Sequence, residues 1–127
     1  MTIEQMYMEN IMDHFKSPRN YGKLDKPTIT HHDNNPLCGD ELTFQLIVHE
    51  GKVSDVKFMG HGCAISQASA SMLTEKIKGV SVEDVKKLTK EDIFEMLGIP
   101  LSPVRMKCAL LSLQVLTAGV AKYSYQL

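Results

Sequence analysis

The sequence predicts an α+β domain, a three-stranded antiparallel sheet covered by helices. Three observations carry this. Residues 42–49, "LTFQLIVH", alternate so that Leu42, Phe44, Leu46 and Val48 share one face, the pattern of a half-buried strand. Glu50-Gly51 is a turn pair, and "KVSDVKFM", residues 52–59, returns as the partner strand. Beyond residue 60 the spacing and punctuation are helical, and strands followed by helices is the α+β order. The 127 residues make one domain, 1–127, able to bury a core without disulfides or a metal.

The elements follow in order. Thr2 and Gln5 form a capping box. Ile3, Met6, Tyr7, Ile11 and Phe15 then recur at helical spacing over residues 3–16, and Ser17-Pro18 ends that helix. Residues 27–33 supply the third strand. Residues 60–79, "GHGCAISQASASMLTEKIKG", open on two glycines and close on Gly79, with small residues that let a helix pack closely. Ser81 and Thr89 read as N-caps of two short helices, and Gly98 stops the second. Ser102 caps a last helix with Pro103 at its first position, and Val104, Cys108, Leu111 and Val115 share one of its faces.

Composition narrows the function. A formal net charge of −1 gives no electrostatic case for nucleic acid or an anionic membrane. The longest apolar run is too short to span a bilayer, and the acidic start "MTIEQMYMEN" does not read as a signal peptide. A cytoplasmic protein with reduced thiols is expected. The three widely spaced cysteines do not form a disulfide framework.

Each cysteine has a setting. Cys38 stands in "NPLCGDE", residues 35–41, where Pro36 and Gly39 predict a turn that presents Cys38 and Asp40 on a loop. Cys63 follows Gly60-His61-Gly62 at a helix start, where backbone N–H groups favour a thiolate. Cys108 lies in the second turn of the last helix, after Arg105 and Lys107, whose charges favour an anionic site. A buried small hydrophobe is the competing reading for Cys63 and Cys108. Three thiolates and a carboxylate would complete a four-coordinate soft-metal site. The spacings are long, with 24 residues between the first two cysteines and 44 between the last two, and no C-x-x-C knuckle is present. His61 lies near Cys63 and is a candidate for tuning the site, against the plainer reading of a loop histidine. At most one of His31 and His32 faces the site, and His14 and His49 read as surface or edge residues. The methionines read as core filler.

Four stretches in order carry a resemblance: "MDHFKSPRNYGKL", "NPLCGDE", "GHGCAISQASASML" and "LSPVRMKCALLSLQVL". Together they resemble the U-type iron–sulfur cluster assembly scaffold proteins, the IscU, SufU and NifU amino-terminal family, over almost the whole chain. The resemblance implies a three-stranded sheet covered by helices with the ligand loops at one end. It implies Cys38, Asp40, Cys63 and Cys108 as ligands of iron, a transient [2Fe–2S] cluster, or zinc. Three thiolates and a carboxylate carry about −4 and the metal core about +2, leaving about −2 for Lys107 and Arg105 to offset in part. Lys107 stands where the Isc-type branch has a histidine, and matches the Suf-type branch. The segment between Cys63 and Cys108 lacks the insertion of many Suf-type members.

The implied function is a scaffold without small-molecule turnover. It receives persulfide sulfur from a cysteine desulfurase, with Cys108 and then Cys38 as candidate acceptors, builds a [2Fe–2S] cluster and passes it to iron–sulfur apo-proteins. The alternative is a zinc-dependent sulfurtransferase. A cysteine-nucleophile hydrolase ranks below both, because no nucleophile–base pair is evident. Leu101, Ser102, Pro103, Val104 and Arg105 resemble the segment of Isc-type scaffolds bound by an Hsp70-class chaperone, and an N-capped helix start explains them equally well. A homodimer or higher oligomer is compatible with the sequence.

Overall fold

The computed structural model describes residues 1–36 and 39–125, the side chains of Ser124 and Tyr125 excepted. Helix α1 (Ile3–Lys16) precedes strands β1 (Ile29–Asn35), β2 (Asp40–His49) and β3 (Lys52–His61). Helices α2 (Ala64–Ile77), α3 (Val82–Lys86), α4 (Lys90–Leu97) and α5 (Pro103–Tyr125) follow. The sheet is antiparallel with order β1-β2-β3, so the α+β expectation holds. β1 starts and ends two residues later than 27–33 suggested, because Asn35 still pairs with Asp40 across the turn.

Register fixes the two faces of the sheet. Phe44 lies opposite Phe58 and Leu46 opposite Val56, with Leu42 on the same side, and all are buried beneath the helices. Burying each phenylalanine contributes about 1.5–3 kcal/mol. Val53 also faces inward, although its three-residue spacing from Val56 breaks strict alternation. A bulge near Ile47/Val48 resolves this: Val53 pairs with Val48 and Asp55 with Ile47, while the Ser54 hydroxyl donates to the Ile47 carbonyl at 3.1 Å. Glu50 and Gly51 both take positive φ, at 52° and 77°, as a tight hairpin turn requires.

α2 runs through the middle of the molecule, with Ile65 through Thr74 buried. Such a helix must satisfy its serines internally. The Ser69 hydroxyl shares a hydrogen bond with Ser112 at 2.8 Å and donates to the Ala109 carbonyl of α5. On the α1 side, Ser71 Oγ meets His14 Nδ1 at 2.7 Å and accepts the Arg19 N–H at 2.8 Å.

Several expectations change. His14 is buried rather than superficial, since its ring sits between Ser71 and Glu75 of α2. α1 is amphipathic in sequence, yet only Ile11 and His14 are buried; Ile3, Met6, Tyr7 and Phe15 stay exposed because little of the chain covers the helix's outer side. Val104 is 66% exposed while Cys108, Leu111 and Val115 are buried: residues 102–107 are all exposed, and burial of α5 begins at Cys108. α5 is also long and apolar enough, by length and composition, to cross a membrane. Here it packs against the sheet and the other helices as a core helix.

Candidate metal centre

The site forms where the starts of β2, α2 and α5 meet. Asp40 is the first residue of β2 and is 2% exposed. The loop position expected for it is therefore wrong: its pairing with Asn35 draws it into the sheet, on the inward face with Leu42. Cys63 is the N-cap of α2, and Cys108 is buried in the second turn of α5.

Asp40 joins the elements. Oδ1 accepts the backbone N–H of Cys63 at 3.0 Å, and Oδ2 lies 3.6 Å from the Cys63 thiol, which donates to it. The carboxylate thus satisfies the backbone N–H of the N-cap residue at the start of α2. Gly62 makes room for this: at φ +155° a Cβ there would run into the Asp40 carboxylate and lie 2.8 Å from Ser66 Oγ.

One ligand atom each from Asp40, Cys63 and Cys108 lie within 4.8 Å of one another. Ligands of a tetrahedral zinc site stand about 3.3–3.8 Å apart, so small movements would close the group on an ion. Two sulfurs and a carboxylate suit zinc or an iron–sulfur core. Cys38 lies outside the described residues.

The flanking candidates divide. Lys107 is exposed and lines a cleft of about 300 Å³ with Asn34, Asn35, Pro36, Leu110, Leu111 and Gln114. Arg105 is exposed, and its N–H donates to the capping Ser102 hydroxyl at 3.4 Å. His61 pairs with Glu41 in the sheet register and so points to the face opposite Asp40, with Nε2 3.0 Å from Glu41 Oε1. His31 lies 2.9 Å from Lys122 Nζ, and burial and that ammonium hold its pKa below the ordinary value. Leu101 to Arg105 form the approach to α5 and its first turn, exposed from Ser102 onward.

Two residues enter the site's surroundings that the motifs did not single out. Ser66 donates to the Cys63 carbonyl at 3.1 Å and packs beside Gly62; its place in the first turn of a helix that starts at a cysteine was the available signal. Gln67, one turn after Cys63, is buried with its Nε2 unpartnered among the described residues, and no sequence pattern marks it.

Fold and donor set define a small α+β protein in which one carboxylate and two cysteine sulfurs that could hold a metal ion gather at one end of a three-stranded sheet. The chain belongs to the NifU-like N-terminal domain family, whose description matches residues 6–127. It is 38% identical to the zinc-dependent sulfurtransferase SufU of Bacillus subtilis (strain 168), over 94% of this chain and 92% of that protein. It is 37% identical to the iron–sulfur cluster assembly scaffold protein IscU of Thermotoga maritima, over 98% of this chain and 99% of that protein. Among solved structures it resembles a putative iron–sulfur cluster assembly scaffold protein for the SUF system from Fervidobacterium islandicum AW-1. That match has a TM-score of 0.78 and 30% identity, and covers 94% of this chain and 99% of the other.

Proposed function

We propose that this chain is a scaffold for iron–sulfur cluster assembly. The observation that carries the reading is the convergence of Asp40, Cys63 and Cys108 in a family that includes named scaffolds. Cys38, two positions before Asp40 in the sequence, is the fourth ligand in this reading. A cysteine desulfurase supplies sulfur as a persulfide: a thiolate of this chain attacks the terminal sulfur, and the desulfurase thiolate leaves. That sulfur needs two electrons from an external thiol or ferredoxin-type reductant to become sulfide, which combines with iron as [2Fe–2S] for delivery to apo-proteins. Cys108, flanked by Arg105 and Lys107, is the first acceptor and Cys38 the second. Cys108 is 3% exposed, so transfer to it requires the site to open. The work takes place in the cytoplasm, with an Hsp70-class chaperone at residues 101–105 as a further partner and self-association as a further state. Lys107 and the likeness to SufU favour a second reading, a zinc-dependent sulfurtransferase using the same ligands.

Asp40 discriminates between them. A carboxylate is harder than a thiolate, holds a soft iron–sulfur core less firmly, and opens a position when displaced. Asp40 also caps the Cys63 N–H, so Asp40→Asn, which keeps an acceptor oxygen, is paired with Asp40→Ala. For a scaffold, both variants slow cluster loss after anaerobic reconstitution with iron and sulfide, read as decay of visible absorption, and impair delivery. For a zinc protein, both weaken zinc binding. Faster cluster decay with unchanged zinc affinity would remove the exchange role assigned to Asp40.

A further inference from the structure

The outer face of the sheet carries a second group of metal-ligating side chains that the thiolate centre does not use. Glu41 lies opposite His61 on β3, and His32 on β1 is its diagonal neighbour, since His32 pairs with Thr43 and Asn34 with Glu41. Strand alternation sends all three side chains away from the face that holds Asp40. The two imidazoles approach one carboxylate from its two oxygens: His61 Nε2 is 3.0 Å from Oε1, and His32 Nε2 is 3.8 Å from Oε2. We propose that His32, Glu41 and His61 form a surface site for a divalent cation of the Zn²⁺, Fe²⁺ or Co²⁺ type, back to back with the thiolate centre across β2.

The chemistry fits such an ion. Two neutral imidazoles and one carboxylate are the nitrogen–oxygen donor set of first-row divalent metals, with positions left for water. Nitrogen and oxygen ligands of a tetrahedral ion stand about 3.3 Å apart. The His61–Glu41 separation is already in that range, but the three ligand atoms do not all lie within 4.8 Å of one another, so the imidazoles, on β1 and β3 either side of β2, must turn toward each other about the Glu41 carboxylate to share an ion. All three side chains are solvent-accessible, at 53%, 41% and 73% for His32, Glu41 and His61, so they can rotate onto an ion without disturbing the core. With no thiolate, the site holds its ion more loosely than the cysteine centre. Glu41 and Asp40 are consecutive in β2, so a cation held outside stands beside the strand that supplies an inner ligand. The ordinary alternative is a pair of imidazolium–carboxylate contacts, in which protons take the place of the metal.

The proposal does not depend on what the inner site carries, because it is tested by a difference. Equilibrium dialysis against Co²⁺ at about pH 8, where imidazole is neutral, counts ions per chain in wild type and in the double variant His32→Gln/His61→Gln. The expected result is one fewer ion in the double variant. The missing ion contributes no thiolate-to-cobalt charge-transfer band, and the thermal midpoint without metal is unchanged. Glu41→Gln weakens the same ion about tenfold or more. His49→Gln is the control, because His49 makes a similar contact with Glu50, at 3.8 Å, but has no second histidine. An equal ion count in wild type and double variant overturns the proposal, as does loss of the ion on His49→Gln.

Discussion

Gly62 shows how one residue governs the thiolate centre. Its hydrogen leaves open the space in which a Cβ would collide with the Asp40 carboxylate and Ser66 Oγ. Gly62→Ala should therefore destabilise the fold by about 1–3 kcal/mol, read by urea unfolding, and weaken zinc binding by the cysteine centre. Normal stability with normal zinc affinity would show that the loop yields freely. Asp40 itself has two duties in the geometry: Oδ1 holds the Cys63 N–H and Oδ2 faces the Cys63 thiol. Losing the ligand and losing the cap are separable only because asparagine keeps one of them.

Between elements, the contact of α1 with α2 depends on Ser71. Its hydroxyl accepts the Arg19 N–H and shares a hydrogen bond with His14 Nδ1, while His14 Nε2 lies 3.4 Å from Glu75. This ties the end of α1 and the segment after it to the central helix. From there Asn20 and Gly22 bond to Phe58 along β3, and the Tyr21 hydroxyl donates to the Gly60 carbonyl at 3.1 Å, two residues before Gly62. Ser71→Ala leaves buried partners unsatisfied and should cost about 1–3 kcal/mol. Hydrogen exchange should quicken at the Arg19 amide before it does in β2. Unchanged exchange at Arg19 would mean that the tie contributes nothing.

Over the whole molecule, the histidines give stability a definite pH dependence. Burial first, and then the Arg19 guanidinium, hold the pKa of His14 below its ordinary value of 6.5, against the opposing pull of Glu75 and Asp13. His31 is lowered in the same direction by burial and Lys122. As pH falls below 6.5, the unfolded chain takes up protons that the folded chain refuses, so stability falls until the folded pKa values are passed. Denaturant midpoints should decline from pH 7 toward pH 5, and His14→Gln should flatten part of that decline. Asp13, Asp33 and Asp92, lowered by Arg19, by Asn34 and Gln114, and by Thr89, add a further loss only in the carboxylate range. A flat profile between pH 7 and pH 5 would contradict the buried state of His14.

Local chemistry in the sequence determined much of this protein. Alternation marked β2, Glu50-Gly51 marked the hairpin, and the Thr2 capping box and the Thr89 N-cap marked two helix starts, because each depends on neighbours within a few residues. The motif order led to Asp40, Cys63 and Cys108 before their approach was visible. Tertiary structure alone decided what depends on distant partners. It buried His14, through Ser71 and Glu75 nearly sixty residues away in sequence. It left Val104 and much of α1 uncovered, since periodicity says which side chains share a face but not whether anything packs there. It drew Asp40 from an expected loop into β2, because pairing with Asn35 satisfies backbone groups that a loop would leave to water. Strand register then turned Asp40 inward and Glu41 outward, so that two adjacent acids face opposite sides of one sheet.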